Sequence, residues 1–297
     1  MKRGAAIDWV VLGLLVAWWS SSFAVLKLAT AHFSPMWNTA IRLIVAIPVL
    51  VAVLASRGQP LPGRRDPLWR AYAFIGLIGM AIPFALYAYS AQRLPSAVNA
   101  ICNGASPIFT GILGHMVLAD DRLTARKAGG VLLGFAGLVV LVAPKFSQGM
   151  TVEAAGLIAA LIGAVLYAVS NVLTRTAPPA PSAVGALLMC LWAAPVALAG
   201  ALVLEPIPSW PPLPSLLAVL AMGVISTALG TIGYVFLIHR RGPLFMSMAI
   251  YLAPLGATAL GVLALGERPG WPAIAALALI LAGVGLVTLT PRPKAAA

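Results

Sequence analysis

The amino-acid sequence predicts an all-α polytopic membrane protein, with ten transmembrane helices arranged as two inverted five-helix repeats. Three observations predict it. Apolar side chains make up 61% of the 297 residues and charged ones only 9%, whereas a soluble domain carries about a quarter charged residues. Apolar runs of about 20 residues, the length a bilayer core requires, alternate with short polar or Pro-rich breaks. The second half of the chain also matches the first at one fixed offset. Mean hydropathy is +1.00, and seven carboxylates cannot make a solvated exterior, so a soluble enzyme, a nucleic-acid-binding domain and a disordered chain are excluded.

The first run begins near Ile7. Lys2 and Arg3 before it and Ala29-Thr30-Ala31 near its end imitate a secretory signal with its cleavage site. Ser20, Ser21 and Ser22 interrupt that run, and Lys27 precedes the site, so the segment is expected to remain as the first span. The second and third runs begin near Met36 and Ala71, after breaks at Thr30 to Pro35 and Ser56 to Arg70. The fourth and fifth begin near Ala97 and Ala128, after Gln92 to Ser96 and Ala119 to Lys127. The sixth, seventh and eighth begin near Ala154, Ala183 and Leu216, after Pro144 to Val152, Thr174 to Pro181 and Glu205 to Pro214. The ninth and tenth begin near Leu244 and Ala273, after His239 to Pro243 and Gly266 to Pro272. No break is long enough for an extramembrane domain, so function is expected inside the membrane.

Cationic residues divide sharply between alternate breaks. One face receives Lys2, Arg3, Arg57, Arg64, Arg65, Arg70, Arg122, Arg126, Lys127, Arg175, Arg240, Arg241, Arg292 and Lys294. The other receives Arg93, Lys145 and Arg268. The net charge of +12 therefore reads as a topology signal rather than a polyanion site, and it predicts both termini in the cytoplasm of an inner, or plasma, membrane.

An offset of 147 places Pro48 on Pro195, Gly76 on Gly223, Tyr87 on Tyr234, Arg93 on Arg240, Pro107 on Pro254, Gly114 on Gly261 and Asp120 on Glu267. The expected units are residues 1–147 and 148–297. Five spans per unit is an odd number, so the second copy enters from the opposite side. Inverted repeats of this kind place a substrate site near the midplane and expose it to each side in turn.

The segments Trp19-Ser20-Ser21-Ser22-Phe23, Arg42 in the second span, and Pro95 through Pro107 to Asp120 resemble the EamA domain of the drug/metabolite transporter superfamily. The pattern recurs from Pro243 through Pro254 to Leu265-Gly266-Glu267-Arg268. Within that family the chain looks most like the YddG-type aromatic amino-acid exporters. The resemblance covers essentially the whole chain as two domains and implies a secondary transporter. One departure is Asp120, where the family usually has Glu.

Asn99, Asn103, Ser106 and Thr110 stand at helical spacing on one face of the fourth span. Their repeat counterparts, Met246, Ile250, Ala253 and Ala257, are apolar. A cavity between those helices would be polar on one wall and apolar on the other, which suits an amino acid; interhelical hydrogen bonding is the competing role for the asparagines. Pro107 and Pro254 lie mid-span and free the carbonyls of Asn103 and Ile250, making them candidate hinges. Those carbonyls can bind a substrate ammonium, or a neighbouring hydroxyl can satisfy them.

Trp19, Tyr87, Tyr167, Tyr234 and Tyr251 are candidates to stack on an aromatic substrate or hold an ammonium, with interfacial anchoring as the alternative. Asn171 lies one turn from Tyr167, and Thr231 shares a face with Thr227 and Tyr234. Arg42 and Lys27 are the formal charges well inside spans. Arg42 is expected to attract a substrate carboxylate near the outer mouth, and Lys27 to cap carbonyls and snorkel.

All carboxylates fall at span ends or in breaks, so nothing mid-membrane pairs with a cationic drug or relays a proton. His115 is the weak exception. Cys102 and Cys190 read as buried small residues. No catalytic, metal or phosphate signature stands out, so neither enzyme activity nor a cofactor is expected.

The leading expectation is export of aromatic and other neutral amino acids, or related metabolites, by a monomer in membrane lipid with no nucleic-acid partner. A carrier for drugs or for phosphorylated or nucleotide-linked sugars and a membrane enzyme on lipid-linked substrates are the alternatives. The tenth span is expected to close the edge of the bundle, with Ile280 facing outward. A reporter enzyme active only outside the inner membrane, fused after Lys294, should give no signal; strong activity there would reverse the orientation.

Overall fold

The computed structural model describes residues 2–117, 124–146, 152–241 and 243–288. Among the described residues, ten helical spans follow the ten apolar runs: α1 (Lys2–Thr30), α2 (Pro35–Ser56), α3 (Leu68–Gly76, Leu77–Ala81 and Ile82–Ala91), α4 (Ser96–Gly104 and Ser106–Val117) and α5 (Ala125–Phe146). The second half supplies α6 (Val152–Thr176), α7 (Ser182–Leu204), α8 (Leu213–Ala221, Met222–Leu229 and Gly230–Arg241), α9 (Pro243–Leu265) and α10 (Trp271–Thr288). Six spans among the described residues are at least 18 residues long and apolar enough to cross a membrane: α1, α2, α3, α6, α7 and α8. Shorter apolar stretches, Leu252–Leu265 and Trp271–Gly283, lie within α9 and α10.

The two halves interlock. α2 packs on α7, α4 on α9, and α5 on α10, and each pair unites a span with its own repeat counterpart. The remaining main contacts come in symmetric sets: α1 on α9 mirrors α6 on α4, α3 on α6 mirrors α8 on α1, and α3 on α7 mirrors α8 on α2. An inverted repeat demands this pattern, because a twofold operation exchanges the members of every set.

Glycine permits the tightest of these contacts. A β-carbon on Gly76 would fall 2.4 Å from the Met189 carbonyl oxygen, and one on Gly223 would fall 2.9 Å from that of Arg42. Positions 76 and 223, and 42 and 189, each differ by 147, so the same backbone approach occurs twice. Both glycine spans also widen into π-helical turns at equivalent depth, Leu77–Ala81 in α3 and Met222–Leu229 in α8. Such turns leave local backbone groups less regularly paired and recur at functional sites.

Glutamates tie span ends together on the cation-poor face. Glu205, just past α7, accepts from Ser34 Oγ at 2.5 Å and from the backbone N–H groups of Met36 and Trp37, so a carboxylate sits on the positive end of α2. Gly266, at φ +64°, ends α9 in the left-handed conformation that favours glycine. It is followed by Glu267, which caps α4.

One expectation is corrected. Ile280 does not face outward: it is 1% exposed and lies where a β-carbon on Gly137 of α5 would meet it at 2.9 Å. α10 and α5 bury a shared seam because two small-residue faces meet there; Gly283 approaches the Gly130 carbonyl in the same way. Gly76→Ala should destabilise the purified protein by about 1–3 kcal/mol through overpacking, read as a lower thermal-melting midpoint in detergent. Gly129→Ala, where a β-carbon meets nothing within 4 Å, should leave the midpoint unchanged or raise it; equal losses in both variants would sink the packing account.

Candidate functional site

The interlocked spans enclose a cavity of about 160 Å³, far more than a single water needs. α1, α2, α3, α4, α6, α7 and α8 all contribute to its wall. Trp19, Arg42, Tyr87, Asn103, Tyr167, Asn171, Thr231 and Tyr234 from the sequence-derived candidates line it. Asn99 does not. It is fully buried one turn before Asn103, and its Nδ2 donates to the Tyr87 carbonyl at 3.0 Å. The side chains of Met246 and Tyr251, and all of Asp120, lie outside the described residues.

Tyr87 organises one end of the cavity. Its ring stacks on Tyr167 with centroids 5.4 Å apart at 19°, and Phe23 meets it edge-on at 6.3 Å. Its hydroxyl donates to Asn103 Oδ1 at 3.1 Å. Tyr234, the repeat counterpart, does the same at the other end with different partners. It lies 6.2 Å from Trp19 and donates to Asn171 Oδ1 at 2.6 Å. Asn171 Nδ2 in turn donates to Thr110 Oγ1 at 3.4 Å. Each tyrosine therefore links its own half to the other half, through α6 on one side and α1 on the other. Buried phenols need such partners, and the asparagines supply them.

Arg42 lines the same cavity. It is 7% exposed, its Nε donates to Thr227 Oγ1 at 3.0 Å, and its Cζ sits 3.9 Å from the centroid of the Phe84 ring. The ring covers one face of the guanidinium and the threonine occupies one edge. The remaining N–H groups have no protein acceptor among the described residues, and Arg42 is the one formally charged residue on the cavity wall there. A guanidinium held flat presents a fork suited to a carboxylate. It lies on the cavity wall, not at an outer mouth.

Lys27 belongs to a different cluster. Its Nζ reaches Glu267 at 3.3 Å and the Leu94 carbonyl at 3.4 Å, as carbonyl capping predicts. Glu267 also accepts from Ser96 N and Ser96 Oγ, both at 2.8 Å, and from Ala97 N at 3.2 Å. It thus joins the end of α9 to the start of α4. Burial pushes its carboxyl upward, but the Ser96 and Ala97 donors and the Lys27 charge outweigh burial, and it is held below the ordinary 4.5.

α4 breaks between Gly104 and Ser106, directly before Pro107, whereas α9 runs through Pro254 without interruption. Pro107 withholds the N–H that would pair the Asn103 carbonyl, and Gly104 precedes it where α9 has Tyr251; Gly104 also lets Pro254 approach to 2.8 Å of where a β-carbon would stand. Sequence reasoning missed Phe84, Met80, Met189, Met222, Phe23 and Ser226 on the wall. Phe84 was findable, being three residues before Tyr87 on the same helix face. So was Met189, which is the counterpart of Arg42. The π-turns left no pattern in the sequence that helical periodicity could detect.

The EamA-like transporter family model matches residues 7–143 and again 154–289. The chain belongs to this family. It is a multi-pass membrane transporter. An uncharacterized inner membrane transporter of Escherichia coli K12, YedA, is 27% identical over 278 residues, covering 91% of this chain and 87% of that protein. The aromatic amino acid exporter YddG of Ancylobacter novellus is 28% identical over 300 residues, covering 98% and 100%. A solved crystal structure shares the fold with a TM-score of 0.72 at 24% identity, covering 96% of this chain and 98% of its own. The family match accounts for the two halves, and the cavity lies where EamA-type spans of both halves meet.

A carboxyl held below its ordinary value adds stability that is complete above that value and is lost as pH falls through the lowered one. Acidification below pH 4.5 should therefore lower the melting midpoint of the purified protein. Glu267→Gln should melt lower at pH 7 and lose less on acidification; parallel acid curves would show that Glu267 does not contribute.

Proposed function

We propose that this family member exports neutral amino acids, aromatic ones among them, or closely related small metabolites across a bacterial inner membrane by alternating access. Both termini are cytoplasmic in this reading, and the unit at work is a monomer in lipid that uses no cofactor. One observation carries it: a single buried guanidinium faces a cavity walled otherwise by aromatic rings, thioethers and neutral polar groups. A phosphorylated or nucleotide-linked sugar calls for several cations, and a cationic drug calls for a carboxylate; neither is on the described wall.

The geometry supports the following roles. Arg42 receives the substrate carboxylate. Tyr87, Tyr167, Trp19 and Tyr234 flank the side chain. Asn103 and the carbonyl freed by Pro107 offer polar contacts at one level, with Asn171 and Thr231 toward the Tyr234 end. Tyr251 and Met246 are assigned to substrate contact on the sequence pattern alone, and Asn99 acts through Tyr87. Pro107 and Pro254 serve as the bending points of α4 and α9. The full-length similarity to a protein named as an aromatic amino acid exporter supports the substrate class.

Protein reconstituted in liposomes loaded with unlabelled phenylalanine should take up labelled phenylalanine by counterflow, and empty liposomes should not. No protein-dependent uptake across a panel of neutral amino acids would end the exporter reading. Asn103→Ala removes a contact worth about 1–3 kcal/mol in a buried site, or roughly 5–150-fold in affinity. It should slow counterflow at subsaturating substrate while the protein still purifies folded. Unchanged kinetics would remove Asn103 from the site.

A further inference from the structure

The exporter reading assigns Arg42 to a carboxylate but leaves open what the site requires of the other end of the substrate. The cavity wall answers in an unequal way. It supplies a full, buried, uncompensated positive charge at Arg42 and, among the described residues, no negative charge anywhere. Glu267, a carboxylate at the end of α9, is engaged by Ser96, Ala97 and Lys27 and does not line the cavity. Acceptors for an ammonium are all neutral: Asn103 Oδ1 already receives Tyr87, Asn171 Oδ1 receives Tyr234, and Ser106 Oγ and the carbonyl freed by Pro107 carry dipoles but no charge.

A buried cation without a counter-ion is costly in a membrane protein. Arg42 is 7% exposed and satisfied only at Nε and on one ring face, so an incoming anion completes it. An incoming cation gains no ion pair and meets repulsion at close range in a medium of low dielectric. Met80, Met189 and Met222 on the wall accept side chains of varied shape, because thioethers repack readily. Shape is thus weakly specified, and charge strongly.

We infer that the site selects its substrates as apolar or aromatic monocarboxylates, and that the α-ammonium of an amino acid is dispensable for binding. The inference rests on the exporter reading and deepens it: the substrate class widens to aryl carboxylates lacking an amine and excludes arylalkylamines. Phe84 and Thr227 are positioning residues in this scheme, holding the guanidinium flat and turned so that its fork meets the carboxylate.

The test uses the purified full-length protein and three probes that share one ring: phenylalanine, 3-phenylpropanoate and 2-phenylethylamine. Binding is measured by titration calorimetry at pH 7. Phenylalanine and 3-phenylpropanoate should bind within about tenfold of each other, and 2-phenylethylamine at least about tenfold more weakly, as loss of a buried charged contact implies. Arg42→Gln should weaken both carboxylates by about tenfold or more and leave 2-phenylethylamine unchanged or improved. Arg42→Lys, which keeps the charge without the fork, should fall between. Because the wild-type series needs no variant, misfolding of an Arg42 variant does not blunt the test. If phenylalanine binds while 3-phenylpropanoate fails, or 2-phenylethylamine matches phenylalanine, the inference is overturned and the exporter reading stands. If none of the three binds and phenylalanine counterflow is also absent, both fall together.

Discussion

Gly76 lets α3 lie against the backbone of α7 at Met189, and Gly223 lets α8 close on α2 at the Arg42 carbonyl and the Val45 side chain; the rest of the bundle depends on that approach. Inside a bilayer, apolar side chains gain little from contact with one another, because lipid tails are equally apolar. Helices associate through close packing, which small residues permit. Placing each glycine on the backbone of a span from the other half closes the two repeats around one another. It also puts the side chains of Arg42 and Met189, the residues touched, on the wall of the space that remains.

That space is symmetric in its framework and asymmetric in its chemistry. The π-turns, the glycine contacts and the two tyrosines occur in pairs related by the offset of 147. The residues that give the cavity its character do not. Arg42 faces Met189 across the pseudo-twofold axis, and Asn103 has Ile250 as its counterpart. A symmetric scaffold thus carries unequal side chains, and they give the cavity a direction. The lone interruption of α4 before Pro107, against the continuous α9, extends this inequality to the backbone. It comes from Gly104 and Pro107 acting together, since α9 has the proline but Tyr251 where α4 has the glycine.

Charge is handled differently at the ends and in the middle. Glu205 and Glu267 lie at span ends, each receiving three or more donors, and they clamp helix starts where the macrodipole favours an anion. Such groups are satisfied within the protein and need no ligand. Arg42 is the opposite case. Its surroundings hold it in place without completing its hydrogen bonds among the described residues, and the role proposed for it, receiving a carboxylate, rests on that incompleteness.

The membrane class, the ten spans, the cation partition and the repeat were legible in the sequence, because hydrocarbon thickness and backbone satisfaction allow few alternatives for such a chain. Most of the candidate wall was legible too: helical spacing put Tyr167 with Asn171 and Thr231 with Tyr234, and each pair did meet the cavity. What periodicity could not decide was which face turns inward. Asn99 and Asn103 share a face of one helical segment, Ser96–Gly104, yet Asn99 is covered at its depth by the backbone of Tyr87 while Asn103, one turn on, reaches the wall. Ile280 looked peripheral and is buried, since burial of a membrane helix depends on its neighbours rather than on its own apolar pattern. The partners of Arg42, Phe84 on α3 and Thr227 on α8, lie 42 and 185 residues away in the chain. Nothing local joins them, because only the packing of one repeat into the other brings those three helices to a common depth.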